Sequence, residues 1–352
     1  MFSFRTTPID DQLDRALTEG KVGVFCTPGC WDAGKGEYLY ELFRRRGNLA
    51  AIFLPDDEAI PGSGHISFDA DGLNDLDAVV VEIQDVGSRF FPYTIDVLRL
   101  VSALANMDDP PALYIVDHPN PAGRDVEGTL PAGVADVWTP AAVHRHGLTL
   151  GELVQMYVGE TSASLHLHVI SAELARTARM LTPWMIPPAP DFGGVFTPYF
   201  YTGGSLWTDT NINPGLGTVR PYEIIGAPFI KAEGSVVPTP EGVLARPCTF
   251  VPLAGMYEGE KCFGYQFILE PGTRYHSLLH AVQLMRWFSE RYSQFRIFES
   301  LYGRIADPVI AEYLRGGITF DIVEEHVKSE EQKWIRKAKR FLLYEEQPVR
   351  IK

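Results

Sequence analysis

Three acidic clusters stand where apolar runs end. Asp56-Asp57-Glu58 follows Leu49 to Leu54, Glu82 and Asp85 close the run that begins at Val79, and Asp117 follows Leu113 to Val116. Carboxylates gathered in one crevice can carry out acid–base hydrolysis or hold a hard cation, because both need several oxygens on converging elements. The same residues can instead cap the helices that come next, since Asp accepts from the free N–H groups of a first helical turn. Spacing alone leaves both roles open. His144 and His146 form an H-x-H pair that suits metal ligation or a loop hydrogen bond. Cys26 and Cys30 have the spacing of half a metal site without a second half, so no metal and no cofactor is expected.

The acids sit between alternating elements. Lys21 to Cys26, Leu49 to Leu54, Val79 to Ile83, Leu113 to Val116 and Leu165 to Ile170 read as strands. Helical spacing recurs over Ile9 to Glu19, Gly36 to Arg46 and Pro92 to Asn106. A further helix begins near Leu150, where Thr149 and Glu152 make a capping box. Strand and helix in alternation predict a mostly parallel, doubly wound, Rossmann-like α/β sheet, whose ligands bind beyond the carboxyl ends of the strands. No G-x-G-x-x-G, P-loop or G-x-S-x-G motif accompanies it, so a dinucleotide is not implied.

The pattern changes after Trp184. A Pro- and Gly-rich crossing leads into an irregular stretch rich in Gly, Asn and aromatic residues. Strand-like pieces follow (Cys248 to Leu253, Phe263 to Leu269), then helices over Ser277 to Tyr292, Pro308 to Leu314 and Glu324 to Phe341. This predicts a Rossmann-like domain over 1–186 and a smaller α+β domain over 187–352, with 187–230 as a loop region lining a cleft. A length of 352 residues also favours two domains over one. The aromatic run Tyr199 to Trp207 suits stacking on sugar rings or packing between domains.

The composition, 45% hydrophobic and 22% charged, is that of a soluble globular protein. A net charge of −14 argues against nucleic acid and against anionic membrane, and no apolar run reaches the ~20 residues a span requires. Met1-Phe2-Ser3-Phe4-Arg5 leads into a polar segment, so a cytoplasmic location is expected, or a periplasmic one had a leader been removed. Nothing in the residues specifies an oligomeric state.

Taken together, Ile83-Gln84-Asp85-Val86-Gly87-Ser88-Arg89-Phe90, Asp117-His118-Pro119-Asn120-Pro121, Glu127-Gly128 and Arg145-His146-Gly147-Leu148-Thr149-Leu150-Gly151-Glu152 resemble the NamZ-like proteins. That family was long described as a domain of unknown function and includes exo-β-N-acetylmuramidases. The resemblance extends through Thr210-Asn211, Arg220-Pro221-Tyr222-Glu223-Ile224, Gly226-Ala227-Pro228, Tyr257, Gly259-Glu260 and Cys262. It implies a Rossmann-like domain, a smaller second domain and a sugar site between them that accepts a small MurNAc-containing carbohydrate. On this resemblance the catalytic candidates are Asp56, Glu82, Asp85 and Glu127. The candidates for binding substrate are Arg89, Tyr93, Asp117, His118, Asn120, His146, Asn211, Arg220 and Glu223.

The departures fall on acids. Where the family reads S-P-E-H-G, this chain has Leu54-Pro55-Asp56-Asp57-Glu58, with Asp56 at the glutamate. Where the family reads F-E-G-T-N-V-S-E-G-R-G-T, Thr208, Pro214 and Leu216 replace two glutamates and an arginine. Two functions follow from this. One is a glycoside hydrolase of the exo-β-N-acetylmuramidase type with an altered set of acids; the other is a carbohydrate-binding or regulatory relative that has lost hydrolysis. The hydrolase is preferred, because losing one set of acids does not exclude another.

Overall fold

Short runs of β-branched residues become strands because they pack well on a pleated surface buried on both sides. They are β1 (Val22–Cys26), β2 (Leu49–Leu54), β3 (Ile66–Ser67), β4 (Ala78–Glu82), β5 (Ala112–Asp117) and β6 (Leu167–Ser171). In this computed structural model, which describes residues 9, 12–13, 17, 19–55, 58–64, 66–67, 71–133, 141–161, 164–171, 184, 186–231 and 237–344, they form one sheet in the order β3-β2-β1-β4-β5-β6. Every neighbouring pair is parallel. Side chains alternate faces with period two, and the two faces feed two cores. Val22, Val24, Val80 and Tyr114 pack with Phe43 of α1 (Tyr40–Arg46), whereas Phe25, Val79, Val81 and Ile115 pack with Val97 and Leu104 of α2 (Pro92–Ala105) and Val154 of α3 (Leu150–Thr161). Helices on both faces make the sheet doubly wound, as the alternation predicts.

A second, smaller antiparallel sheet holds β7 (Ile224–Ala227), β8 (Val243–Phe250) and β9 (Cys262–Leu269) in the order β7-β9-β8. Around it lie α4 (Thr197–Gly204), α5 (Ser277–Arg291), α6 (Ser300–Ile305), α7 (Pro308–Arg315) and α8 (Phe320–Ala338). Two of these elements, α4 and β7, fall inside the stretch expected to be irregular. Seven of the eight residues of α4 are buried, so it has no polar face and hence no helical period to read. Gly203 permits this packing: a β-carbon there would lie 2.0 Å from the Ser277 carbonyl oxygen, so no larger residue fits between α4 and α5. β8 starts five residues earlier than its apolar part, because its first half is partly exposed and reads as loop. Of the helix expected over Ile9 to Glu19, Ile9, Gln12 and Leu13 are helical, Leu17 and Glu19 are not, and the other positions fall outside the described residues. Among the described residues, no helix is long and apolar enough to cross a membrane.

Candidate active site

The strand order reverses between β1 and β4, and a sheet of this kind opens a crevice at the carboxyl ends of those two strands. Glu82 ends β4 there with its side chain 13% exposed, and its Oε1 lies 3.6 Å from His118 Nε2, just beyond the end of β5. Past β1, the Cys30 thiol donates to the Glu82 carbonyl at 2.8 Å. Burial pushes that thiol up to about 12, with Glu82 adding to the shift, so Cys30 stays protonated and is no nucleophile. Past β2, Asp56 and Asp57 lie outside the described residues, but the next acid, Glu58, accepts from the Tyr93 hydroxyl on the first turn of α2. Burial, then the Glu58 carboxylate, holds the Tyr93 phenol well above its ordinary range. Glu58 stands at the family's glycine, which is why the resemblance did not single it out.

The other expected residues of this half lie deeper, with their polar atoms engaged. Asp85 is 3% exposed; its carboxylate accepts from the Gly87 amide at 2.8 Å and from Thr94 Oγ1 of α2 at 2.5 Å. Gly87 adopts φ +83° against Asn120, where a β-carbon would lie 2.6 Å from Oδ1. Asn120 is spent on the Leu148 carbonyl and the Ala122 amide. Asp117 caps α3 through Thr149 Oγ1 at 2.7 Å and the Gly151 amide at 2.8 Å, and burial pushes its carboxyl up to about 6. The capping box of α3 is present: Glu152 Oε2 accepts from the Thr149 amide at 2.9 Å.

Glu127 and Arg89 join the two halves of the chain. The Glu127 carboxylate caps α5, accepting from the Ser277 amide at 3.0 Å, the Ser277 hydroxyl at 2.8 Å and the Leu278 amide at 2.9 Å, and it pairs with buried Arg145. Arg89, 1% exposed, donates to the carbonyls of Thr129 and Ala142 and to those of Arg304 and Ile305 at the end of α6. Burial pushes its guanidinium down to about 9. Of the H-x-H pair, His144 Nδ1 accepts from the Thr129 amide, and His146 Nδ1 accepts from the Leu148 amide, with its Nε2 3.5 Å from Asp85 Oδ2. Among the described residues, no three His, Cys, Asp or Glu side chains gather as a cation site.

On the second half, Asn211 binds the backbone of Gln294 and Arg296. Glu223 is buried between Thr197 Oγ1 at 3.1 Å and the more exposed Arg220 at 3.2 Å. Burial raises the Glu223 carboxyl, and Arg220 and Thr197 offset part of the rise. Thr208, in place of the family's glutamate, lies 2.8 Å from Arg304 Nη1. The adjacent Asp209 is committed to Arg304 and to Ser300, each at 2.8 Å or less. The aromatic run packs inward: Tyr201 meets Phe91, Phe192 and Tyr222, and Trp207 meets Phe288. Tyr222 holds φ +65°, strained for a residue with a β-carbon. One acid here went unnoticed in the sequence. Asp191 follows Pro190 in a tight turn that spacing reads only as punctuation.

Residues 65–192 match the N-terminal part, and residues 199–344 the C-terminal part, of the family described as exo-β-N-acetylmuramidase NamZ. The peptidoglycan β-N-acetylmuramidase NamZ of Bacillus subtilis (strain 168) is 25% identical over 288 residues, which cover 77% of this chain and 68% of that protein. Two crystal structures of DUF1343 family proteins from Bacteroides fragilis NCTC 9343 share the fold. One gives a TM-score of 0.80 at 19% identity over 96% of this chain and 97% of that one. The other gives 0.77 at 20% identity over 96% and 98%.

Proposed function

The chain belongs to the NamZ family of exo-β-N-acetylmuramidases, and from that premise we propose that it is a glycosidase that releases terminal N-acetylmuramic acid from peptidoglycan fragments. The observation that carries this is Glu82: among the acids at the ends of β4 and β5, it is the one left partly open, at the reversal of strand order and beside His118. Glycoside hydrolysis requires a carboxylate free to attack C1 or to activate water. Asp85, Asp117 and Glu127 have their oxygens occupied by backbone N–H groups and hydroxyls, so their part is to hold the frame. Glu58, with Tyr93, completes the Glu82 side, and Asp56 remains a catalytic candidate on the family resemblance alone. Residues 187–230 form the facing wall of the cleft, and the division between the domains falls near 187.

Incubation with 4-nitrophenyl β-N-acetylmuramide and with a MurNAc–GlcNAc disaccharide is expected to release MurNAc from both. Glu82→Gln should lower kcat at least ~100-fold without loss of fold. Absence of turnover by the wild-type protein on both compounds and on other amino-sugar glycosides would sink the proposal, whether or not the sugars bind.

A further inference from the structure

We propose that Asp191 is the proton donor of this site, an assignment that rests on the glycosidase function above. Its turn is rigid: the Phe192 amide donates to the Ala189 carbonyl at 3.0 Å, and Trp184 Nε1 donates to the Phe192 carbonyl at 3.0 Å. At one end of the segment, Pro187 and Pro188 press on Gly29, where a β-carbon would lie 2.8 Å from the Pro187 carbonyl. Gly29 adjoins Cys30, whose thiol holds the Glu82 backbone. At the other end, the Phe192 ring packs on Phe91 at 5.5 Å, and Phe91 packs on Tyr93 at 4.9 Å. The segment that carries Asp191 therefore packs, through Gly29 and through Phe91, on the immediate neighbours of Glu82 and of Tyr93.

The chemistry of Asp191 differs from that of its neighbours. Asp85, Asp117, Glu127 and Glu223 each accept at least two hydrogen bonds, while Asp191 accepts none among the described residues. Half-burial without a donor disfavours the charged form, and desolvation holds the Asp191 carboxyl above the usual range. The ionisable groups that feel it are the hydroxyls of Tyr201 on α4 and Tyr222, both kept protonated chiefly by burial, and Arg304 of α6 acts on the same two hydroxyls. Arg304 is also the group that contacts Thr208, where the family's glutamate is lost. Asp191 is thus linked to the position of the lost carboxyl through Arg304, which acts on the same two hydroxyls.

In the step assigned to it, the C1–O bond of the terminal sugar breaks with its electron pair going to the leaving oxygen. That oxygen takes the Asp191 proton and departs as an alcohol. The oxygen of a water molecule bonds to C1, its proton passes to the Glu82 carboxylate, and exchange with solvent resets both groups.

The test compares the wild-type protein, Asp191→Asn and Asp191→Glu on the two substrates. Nitrophenolate leaves without a proton, whereas a sugar alcohol does not. Asp191→Asn should slow the disaccharide about 1,000-fold but the nitrophenyl glycoside less than about 10-fold, and should remove the basic limb of kcat/KM on the disaccharide. Asp191→Glu should keep that limb. Equal losses on the two substrates with an unchanged pH profile, or no loss on either, overturn the assignment and leave the glycosidase function standing. A wild-type protein that cleaves neither substrate overturns that function and the assignment with it.

Discussion

At the scale of the residue, burial separates the acids that brace the fold from those open to chemistry. Asp117 shows what bracing does to a carboxyl. It is fully buried against Thr149, Gly151 and Tyr344, and desolvation lifts its pKa from 3.8 to about 6. The folded chain therefore keeps a proton that the unfolded chain gives up between pH ~4 and ~6. Stability should fall as pH rises through that window, by up to ~3 kcal/mol, and stay level above it. In Asp117→Asn the amide oxygen still accepts from the Gly151 amide, and Thr149 Oγ1 can accept from the amide nitrogen, so the cap survives without the charge. Urea midpoints of variant and wild type should diverge between pH 4 and 6 and run parallel above; parallel curves throughout would show that Asp117 is not desolvated in this way. The sequence identified Asp117 as an acid at a strand end but not which use it had. Capping and catalysis ask for the same residue at the same position, and only the count of donors around it tells them apart.

At the scale of the element, what was legible followed periodicity. Five strands of the parallel sheet, α2 and the capping box at Thr149 and Glu152 all carry a repeat or a paired signal and are present where expected, whereas β3, two residues long, carries none. α4 carries none, because it is enclosed on all sides, and β7 is only four residues long within turn-rich sequence. The clearest test of that enclosure is Gly203→Ala. In an open helix the change would gain ~1 kcal/mol from propensity. Here the new β-carbon would meet the Ser277 carbonyl at 2.0 Å, backbone that cannot rotate away, so overpacking wins. A net loss of about 1–3 kcal/mol is expected in chemical denaturation, and a gain would mean that α4 does not press on α5.

At the scale of the molecule, several of the residues that carry the family resemblance link the sheet to the C-terminal half. Arg89 holds the end of α6, Glu127 caps α5, Arg145 donates to the Tyr275 carbonyl at 2.8 Å, and Trp334 of α8 donates to the His146 carbonyl at 2.8 Å. These contacts are buried, so neither half can leave the other without stranding charge or backbone away from water. The family resemblance presented Arg89, Glu127 and His146 as site residues, because motif identity records that a residue is needed, not for what. The physical consequence is coupling: heat or urea should unfold both halves in one transition, with tryptophan fluorescence and far-UV circular dichroism coincident. Glu127→Ala tests the coupling most severely. It removes the α5 cap and leaves Arg145 buried without its partner, when Arg145 Nε and Nη1 already lack hydrogen-bond acceptors among the described residues. A loss of about 3–5 kcal/mol is expected, large beside the total stability of an ordinary chain. Two separated transitions in the wild-type protein, or a Glu127→Ala variant of unchanged midpoint, would mean that the halves fold independently and that the cleft between them is free to open.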